Sequence, residues 1–374
     1  MKDSLEGFKL IEQKSGYEGI LEIDYKVQML DPLSLDSFLV NQLPSLNGEG
    51  NTQGLVDIID SLDLRPERLS SFSLEESLAA VRDLNMILSS LRRHGRNLGK
   101  NSKIEQALIF LSKKTQEVPT DTVFSYGTRN PQNERMRTFT ELQEERLFIE
   151  SFRSGMISLP SAIKALEEAT SLSLSDIAFG EKIKSAQKSF EKMIGAIVGV
   201  QRNITPELFT TQLRPFFEPK NIGGTTYKAP GGAQMPIVLI DQLLWGSDVK
   251  DEIYRQYFYE NVQYQPVFLR QKAELFSNIP SLIHRITKEL ETVDTRNTTE
   301  LKIIKSSLVA VYDLLSFVEK FRKPHLKIAE ANMALRPSGS VGSGGYDVNI
   351  LKFLLGHVVE AKKTISDELA KINI

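Results

Sequence analysis

The sequence predicts an all-α fold, on three observations. Apolar residues recur three and four apart over most of the chain, as in Leu78, Val81, Leu84, Ile87 and Leu91, which lines one face of a helix. Helix-start chemistry stands where such runs begin: Ser73-Leu-Glu-Glu76 and Thr140-Glu-Leu-Gln143 both fit a capping box, in which the first hydroxyl and the last side chain satisfy each other's free backbone N–H groups. There is neither an alternating hydrophobic run nor a strand–glycine–helix unit, so no substantial sheet is expected. No repeat of fixed period is present.

Residues 1 to about 70 are irregular: Leu10, Ile11, Leu21, Ile23 and Val27 suit short helices or strands, and Asn47-Gly-Glu-Gly-Asn51 reads as a loop. The helix opened at Ser73 is closed by Arg92, Arg93, His94, Arg96 and Lys100, since cations are favoured at a helix C-terminus. They suit a solvated helix end, with anion binding as the alternative. A helix with Ile104, Leu108 and Leu111 follows. Residues 118–139, with Pro119, Gly127, Asn130-Pro131 and several arginines, read as a connecting loop. This divides a small N-terminal helical part (1–118) from a large helical domain (119–374).

The second capping box opens a helix through Phe148, Phe152 and Met156, and Pro160 interrupts before Ala162-Ile163-Lys164. The clearest amphipathic stripe runs through Ile177, Phe179, Ile183, Ala186, Phe190, Met193, Ile197 and Val200 and ends at Asn203. Thr205 then caps a helix with Pro206 in its first position, carrying Phe209, Leu213, Arg214 and Phe217. Residues 222–233 read as a loop whose glycines allow close backbone approach. Helices are expected over Gln234–Leu244 and from Asp248 to about Val262, with Tyr264-Gln-Pro266 ending the second. Pro280 begins a segment through Ile283 and Ile286. A long helix runs from Thr298 to Pro324, and the last begins at Asp347.

With 374 residues the chain can bury a full core, and 41% hydrophobic with 25% charged residues is ordinary for a globular protein. A net charge of −2 gives no electrostatic reason to expect nucleic acid or an anionic membrane as partner. The chain has no cysteine, which excludes disulfides, thiolate metal sites, iron–sulfur clusters and a cysteine nucleophile. The opening Met1-Lys-Asp-Ser-Leu-Glu lacks the apolar stretch of a secretory signal, and no run is long and apolar enough to span a bilayer. A cytoplasmic location is expected.

Four histidines narrow the chemistry. No two lie three or four apart and there is no H-E-x-x-H, so one helix cannot hold zinc through several imidazoles. His94 sits in a basic run and is expected at the surface; His284 and His357 read as partly buried helix residues. His325 follows Pro324, which cannot donate a hydrogen bond to Lys320, so the helix is expected to bend there. That bend would aim the imidazole sideways, into a core or into a cavity.

Gly339-Ser-Val-Gly-Ser-Gly-Gly345 lacks the ending of a phosphate-binding loop. It reads as a linker between helices or a lid over a pocket. No G-x-S-x-G marks a serine hydrolase. Asp241 and Arg322 interrupt apolar faces and are costly to bury alone, so each is expected to pair with the other or with a ligand. Arg214, beside Leu213, is open to a structural ion pair, a snorkelling stem or a ligand contact.

Several segments in order resemble the haem-dependent indole dioxygenase superfamily, which includes indoleamine 2,3-dioxygenase, tryptophan 2,3-dioxygenase and the monodechloroaminopyrrolnitrin synthase group. They are Ser161-Ala-Ile-Lys164, the helix through Phe190, Phe209-Thr-Thr-Gln-Leu-Arg214, Ala229-Pro-Gly-Gly-Ala-Gln234 with Asp241-Gln-Leu-Leu244, Tyr264-Gln-Pro266, Arg322-Lys-Pro-His325 and Gly342-Ser-Gly-Gly-Tyr-Asp347. The likeness covers roughly residues 145–370 and implies a helical haem-binding domain. It places His325 as the proximal ligand of a haem b iron, with Arg322 and Asp241 paired beside it and Gly231 and Gly232 on a loop next to the haem. Arg214 falls where an arginine holds the substrate carboxylate, and Phe209 where an aromatic packs on the indole. Phe148, Ser151 and Phe152 fall on the distal helix. Gly344, Gly345 and Tyr346 fall on the loop that closes over substrate.

The implied activity is insertion of dioxygen into the indole C2=C3 bond of tryptophan or a related small indole, with an oligomer allowed. Two alternatives stand beside it: a pyrrolnitrin-type haem enzyme that rearranges a substituted tryptophan, and a haem-binding scaffold without turnover. Thr210, Pro324 and Tyr346 depart from the dioxygenase pattern. Arg214-Pro-Phe-Phe-Glu-Pro219 is closer to the pyrrolnitrin branch.

Overall fold

The computed structural model describes residues 16–99, 101–294, 296–337 and 339–372; the expectations at Leu10, Ile11 and Lys100 lie outside them. Helix dominates the described residues, in agreement with the all-α expectation. The only sheet among them is a hairpin of Lys220–Ile222 against Thr225–Tyr227, with Asn221 opposite Thr226. This stretch reads as a loop in the sequence because three-residue strands are too short to show alternation. Its turn is made by Gly223 (φ 62°) and Gly224 (φ 82°), two positive φ angles in succession, as tight hairpins need.

The Ser73 capping box forms: Ser73 Oγ accepts from Glu76 N at 3.0 Å and Glu76 Oε2 from Ser73 N at 2.7 Å. The Thr140 box does not, and the helix starts at Gln143. The carboxylate that gathers this turn is Glu145, two residues further on and fully buried. It accepts from Phe139 N (2.8 Å), Thr140 N (2.8 Å), Thr140 Oγ1 (2.7 Å) and the Tyr126 hydroxyl (2.9 Å). Asn47-Gly-Glu-Gly-Asn51 is mostly helix as well: Leu43–Glu49 runs through it, Gly50 (φ 66°) ends it, and Asn51 caps the next helix.

The expected connecting loop is interior structure. Every residue from 119 to 131 is buried, and its arginines are neutralised there rather than solvated. Arg129 pairs with Asp24 at 2.8 Å and Glu117 at 2.6 Å; Arg137 pairs with Asp83 at 3.2 Å and with Asp36. Two expectations for histidines change: His94 is half-buried and His284 is exposed. His357 stacks on Trp245 with ring centroids 4.7 Å apart.

The core is organised by Ile177–Asn203, which runs against Gln143–Met156, Leu159–Ala169 and the 37-residue Thr298–Ala334; Asn349–Lys371 packs on the last of these. The long helix continues ten residues past Pro324 instead of ending there. An interior proline costs about 3 kcal/mol, and the buried face from Leu301 to Arg322 outweighs it. A second apolar cluster joins Leu39, Leu84 and Leu108 to Phe139, Phe216 and Phe217, and Phe152 packs against both clusters.

Candidate active site

Where the two clusters meet lies a mainly apolar cavity of about 260 Å³, open to the centre of a water molecule, with Phe148, Phe152, Phe209, Phe321, Tyr257 and His325 in its wall. His325 stands one turn after Phe321, ring centroids 5.7 Å apart. Among the described residues neither of its ring nitrogens has a hydrogen-bond partner. Burial, with a smaller push from the Arg322 charge, drives its pKa down to about 4. The imidazole is therefore neutral at neutral pH and keeps a nitrogen lone pair. A Cβ on Gly232 would meet its Cε1 at 3.3 Å and its Nε2 at 3.4 Å, so a side chain at 232 would crowd the imidazole edge.

Beneath His325 the buried-charge expectation is met. Arg322 Nη2 donates to Asp241 Oδ2, and both residues are buried, away from the cavity wall. Burial pushes Asp241 up while Arg322 pulls it down. Arg322 precedes His325 by about one helical turn. The pair thus ties Ile237–Leu244 to the His325 helix at the level of the imidazole.

Phe148 and Phe152, four apart, share the cavity face of Gln143–Met156. Phe148 meets Phe152 at 5.5 Å and Phe209 at 5.6 Å, and Tyr126 stacks on Phe152 at 5.9 Å. Ser151 does not join them. The same helical periodicity turns it onto Ile177–Asn203, where its Oγ lies 2.9 Å from the position of a Cβ on Gly199.

Phe209 and Arg214 both reach the cavity because the expected helix is rewound here. Pro206–Leu208 is α-helical, Phe209–Leu213 is π-helical and Arg214–Phe216 is 3-10. In a regular α-helix residues five apart point about 140° away from each other, and wider π turns are frequent at functional sites. Arg214 is 5% exposed; its Nη1 donates to the Phe217 carbonyl and to Glu218 Oε1 (2.7 Å), while its Nε has no partner among the described residues. Burial lowers its pKa, offset in part by Glu218 and reinforced by Arg336.

Two glycine loops meet at the cavity. A Cβ on Gly231 would lie 2.7 Å from Gly344 N, and one on Gly344 would lie 3.2 Å from Ala233 Cβ. Gly345 is exposed, outside the cavity wall, and serves the loop through its φ of 81°. The Tyr346 ring lines the cavity, but its hydroxyl is engaged elsewhere. It accepts from Lys228 Nζ (2.6 Å) and Asn261 Nδ2 (2.9 Å) and donates to Glu260 Oε2 (2.6 Å).

Sequence reasoning missed Tyr126, Tyr257, Asn332 and Arg336, all in the cavity wall. The last two were within reach. His325, Ile328, Ala329, Asn332, Met333 and Arg336 all line the cavity at offsets of 3, 4, 7, 8 and 11 from the histidine, a single helical stripe.

Among the described residues no three His, Asp or Glu side chains gather to hold a metal ion. Iron held at His325 would bring its other ligands with it, as a porphyrin does. The neutral unpartnered imidazole, the apolar cavity and the side-chain-free edge at Gly232 fit that group.

The described residues form a helical protein that presents one imidazole, that of His325, to an apolar cavity. The family model for monodechloroaminopyrrolnitrin synthase, PrnB, matches residues 41–370. The chain belongs to that family, part of the haem dioxygenase superfamily. The match reaches well ahead of residue 145, where the resemblance began.

Proposed function

We propose that this chain is a haem-dependent enzyme that rearranges the ring system of a substituted tryptophan, instead of opening the indole by dioxygen insertion, the activity the resemblance placed first. The observation that carries this reading is the family match over residues 41–370, taken with the free imidazole of His325 facing the cavity. Haem, when bound, would supply a redox-active iron for chemistry with dioxygen.

The protein's own residues bind, orient and exclude water. His325 offers an uncharged nitrogen held in place by its helix, and the Arg322–Asp241 pair fixes that helix from below. Gly231 and Gly232 let the backbone come close to the group on the imidazole. Arg214, with Nε unpartnered, holds the substrate carboxylate. Phe148, Phe152 and Phe209 fix the plane of the indole. The loop of Gly344 and Tyr346 closes the cavity and keeps it dry. Among the described residues no helix is long and apolar enough to cross a membrane.

Mass analysis of products tests the proposal. Haem-reconstituted protein is incubated with oxygen and with L-tryptophan or ring-substituted tryptophans. A rearranged product is expected. N-formylkynurenine as the sole product would restore the dioxygenase reading, and haem uptake without turnover of any of them would restore the scaffold reading.

A further inference from the structure

Arg336 also lines the cavity, eleven residues beyond His325 on the same helical stripe. Its Nη1 donates to the Val341 carbonyl at 2.5 Å, at the edge of the glycine loop. Among the described residues no carboxylate forms an ion pair with it. Three further polar groups of residues in the same wall are buried and unpartnered: Thr210 Oγ1, Arg214 Nε and, one turn before Arg336, Asn332 Oδ1. The one carboxylate in the wall, Asp347, accepts the Asn349 N–H at 2.7 Å. Two guanidinium groups in the wall of one apolar cavity, that of Arg214 buried and that of Arg336 half-buried and without a carboxylate partner among the described residues, are suited to an anion.

We propose that Arg336 is a second carboxylate-binding residue of this cavity, acting beside Arg214 and linking the bound anion to the glycine loop through Val341. The inference deepens the proposed function and rests on it. The charge of Arg336 weakens proton binding at Arg214, a repulsion that an anion between the two relieves. A planar guanidinium suits this role better than an ammonium because it can hold a carboxylate through two parallel bonds. Two ligands of the proposed reaction carry a carboxylate: the amino-acid substrate and the haem, through its propionates.

The test uses full-length wild type, Arg336→Gln and Arg336→Lys, with circular dichroism confirming that each is folded. Holoprotein is titrated with L-tryptophan and with tryptamine, which lacks the carboxylate. Apoprotein is titrated with haem and with haem dimethyl ester. Arg336→Gln should weaken one carboxylate-bearing ligand about 10-fold or more while its carboxylate-free counterpart is unchanged, and Arg336→Lys should recover part of the loss. A loss confined to tryptophan assigns the substrate, and one confined to haem assigns a propionate. Equal losses within each pair, or no loss, would overturn the proposal. Wild-type protein that takes up neither haem nor tryptophan would sink the proposed function itself, and this inference with it.

Discussion

A Cβ built on Gly231 would stand 2.7 Å from the backbone nitrogen of Gly344. The two loops are far apart in sequence, yet their backbones touch at the cavity, and a backbone nitrogen cannot swing aside as a flexible side chain can. Gly231→Ala should therefore push the loops apart at a cost of about 1–3 kcal/mol, read as a lower denaturation midpoint. Gly232→Ala should cost less stability, since its Cβ meets the imidazole edge at 3.3 Å, but should weaken haem uptake. Equal stability of wild type and Gly231→Ala would mean that the loops do not meet as described.

Asp241 and Arg322 form a buried pair. Removing one partner leaves the other charge without compensation, so Asp241→Ala should cost about 3–5 kcal/mol in urea denaturation. Replacing both by apolar residues of similar volume should recover most of that loss. If the double variant is as unstable as the single one, the unpaired charge is not the cause.

Arg214→Gln should weaken L-tryptophan binding by about 10- to 100-fold, the range of a charge-assisted hydrogen bond. Tryptamine binding should stay as it is. Parallel losses for both ligands would show that Arg214 shapes the cavity instead of gripping the carboxylate.

Glu260 gives the loop an acid-sensitive hold. Burial works to raise its pKa, but hydrogen bonds from Lys228, Tyr346 and Gln256 outweigh burial and hold it at about 2, below its ordinary 4.5. A depressed folded-state value stabilises fully above the unfolded value and is lost as pH falls through the folded one. The contribution should therefore be complete above pH 4.5 and fade toward about pH 2. Tyr346→Phe removes one of these bonds, so in a stability-against-pH titration the loss should still begin near pH 4.5 but be complete at a higher pH and be smaller in total. An unchanged acid limb would mean that the Tyr346–Glu260 bond does not form.

Legibility in the sequence followed how strongly each residue is tied to a periodic pattern. Ile177–Asn203 could be read to its last residue because its stripe is long and its stop plain. The Asp241–Arg322 pair could be read because a charge on an apolar face has few other ways to be satisfied. Elements whose outcome depends on tertiary competition could not. Pro324 lost to the packing of the helix around it, and the Thr140 box lost to a buried Glu145. Val267–Ser277 has a buried stripe of only Leu269, Ala273 and Phe276, and Pro266 marks the break before it more plainly than the helix it starts. At the site, family likeness marked short segments without resolving faces. It took Ser151 together with Phe152 and Gly345 together with Gly344, where one residue of each pair turns away from the cavity. The π turn over Phe209–Leu213 that aligns Phe209 with Arg214 shows no signal in the periodicity of the sequence.

The absorption spectrum of haem-reconstituted wild type and His325→Ala, with and without added imidazole, tests the central claim most directly. Wild type should take up haem and show a Soret band, His325→Ala should lose or shift that band, and free imidazole should restore it. A Soret band of unchanged position and intensity in His325→Ala would contradict the assignment of His325 as the residue that holds the iron.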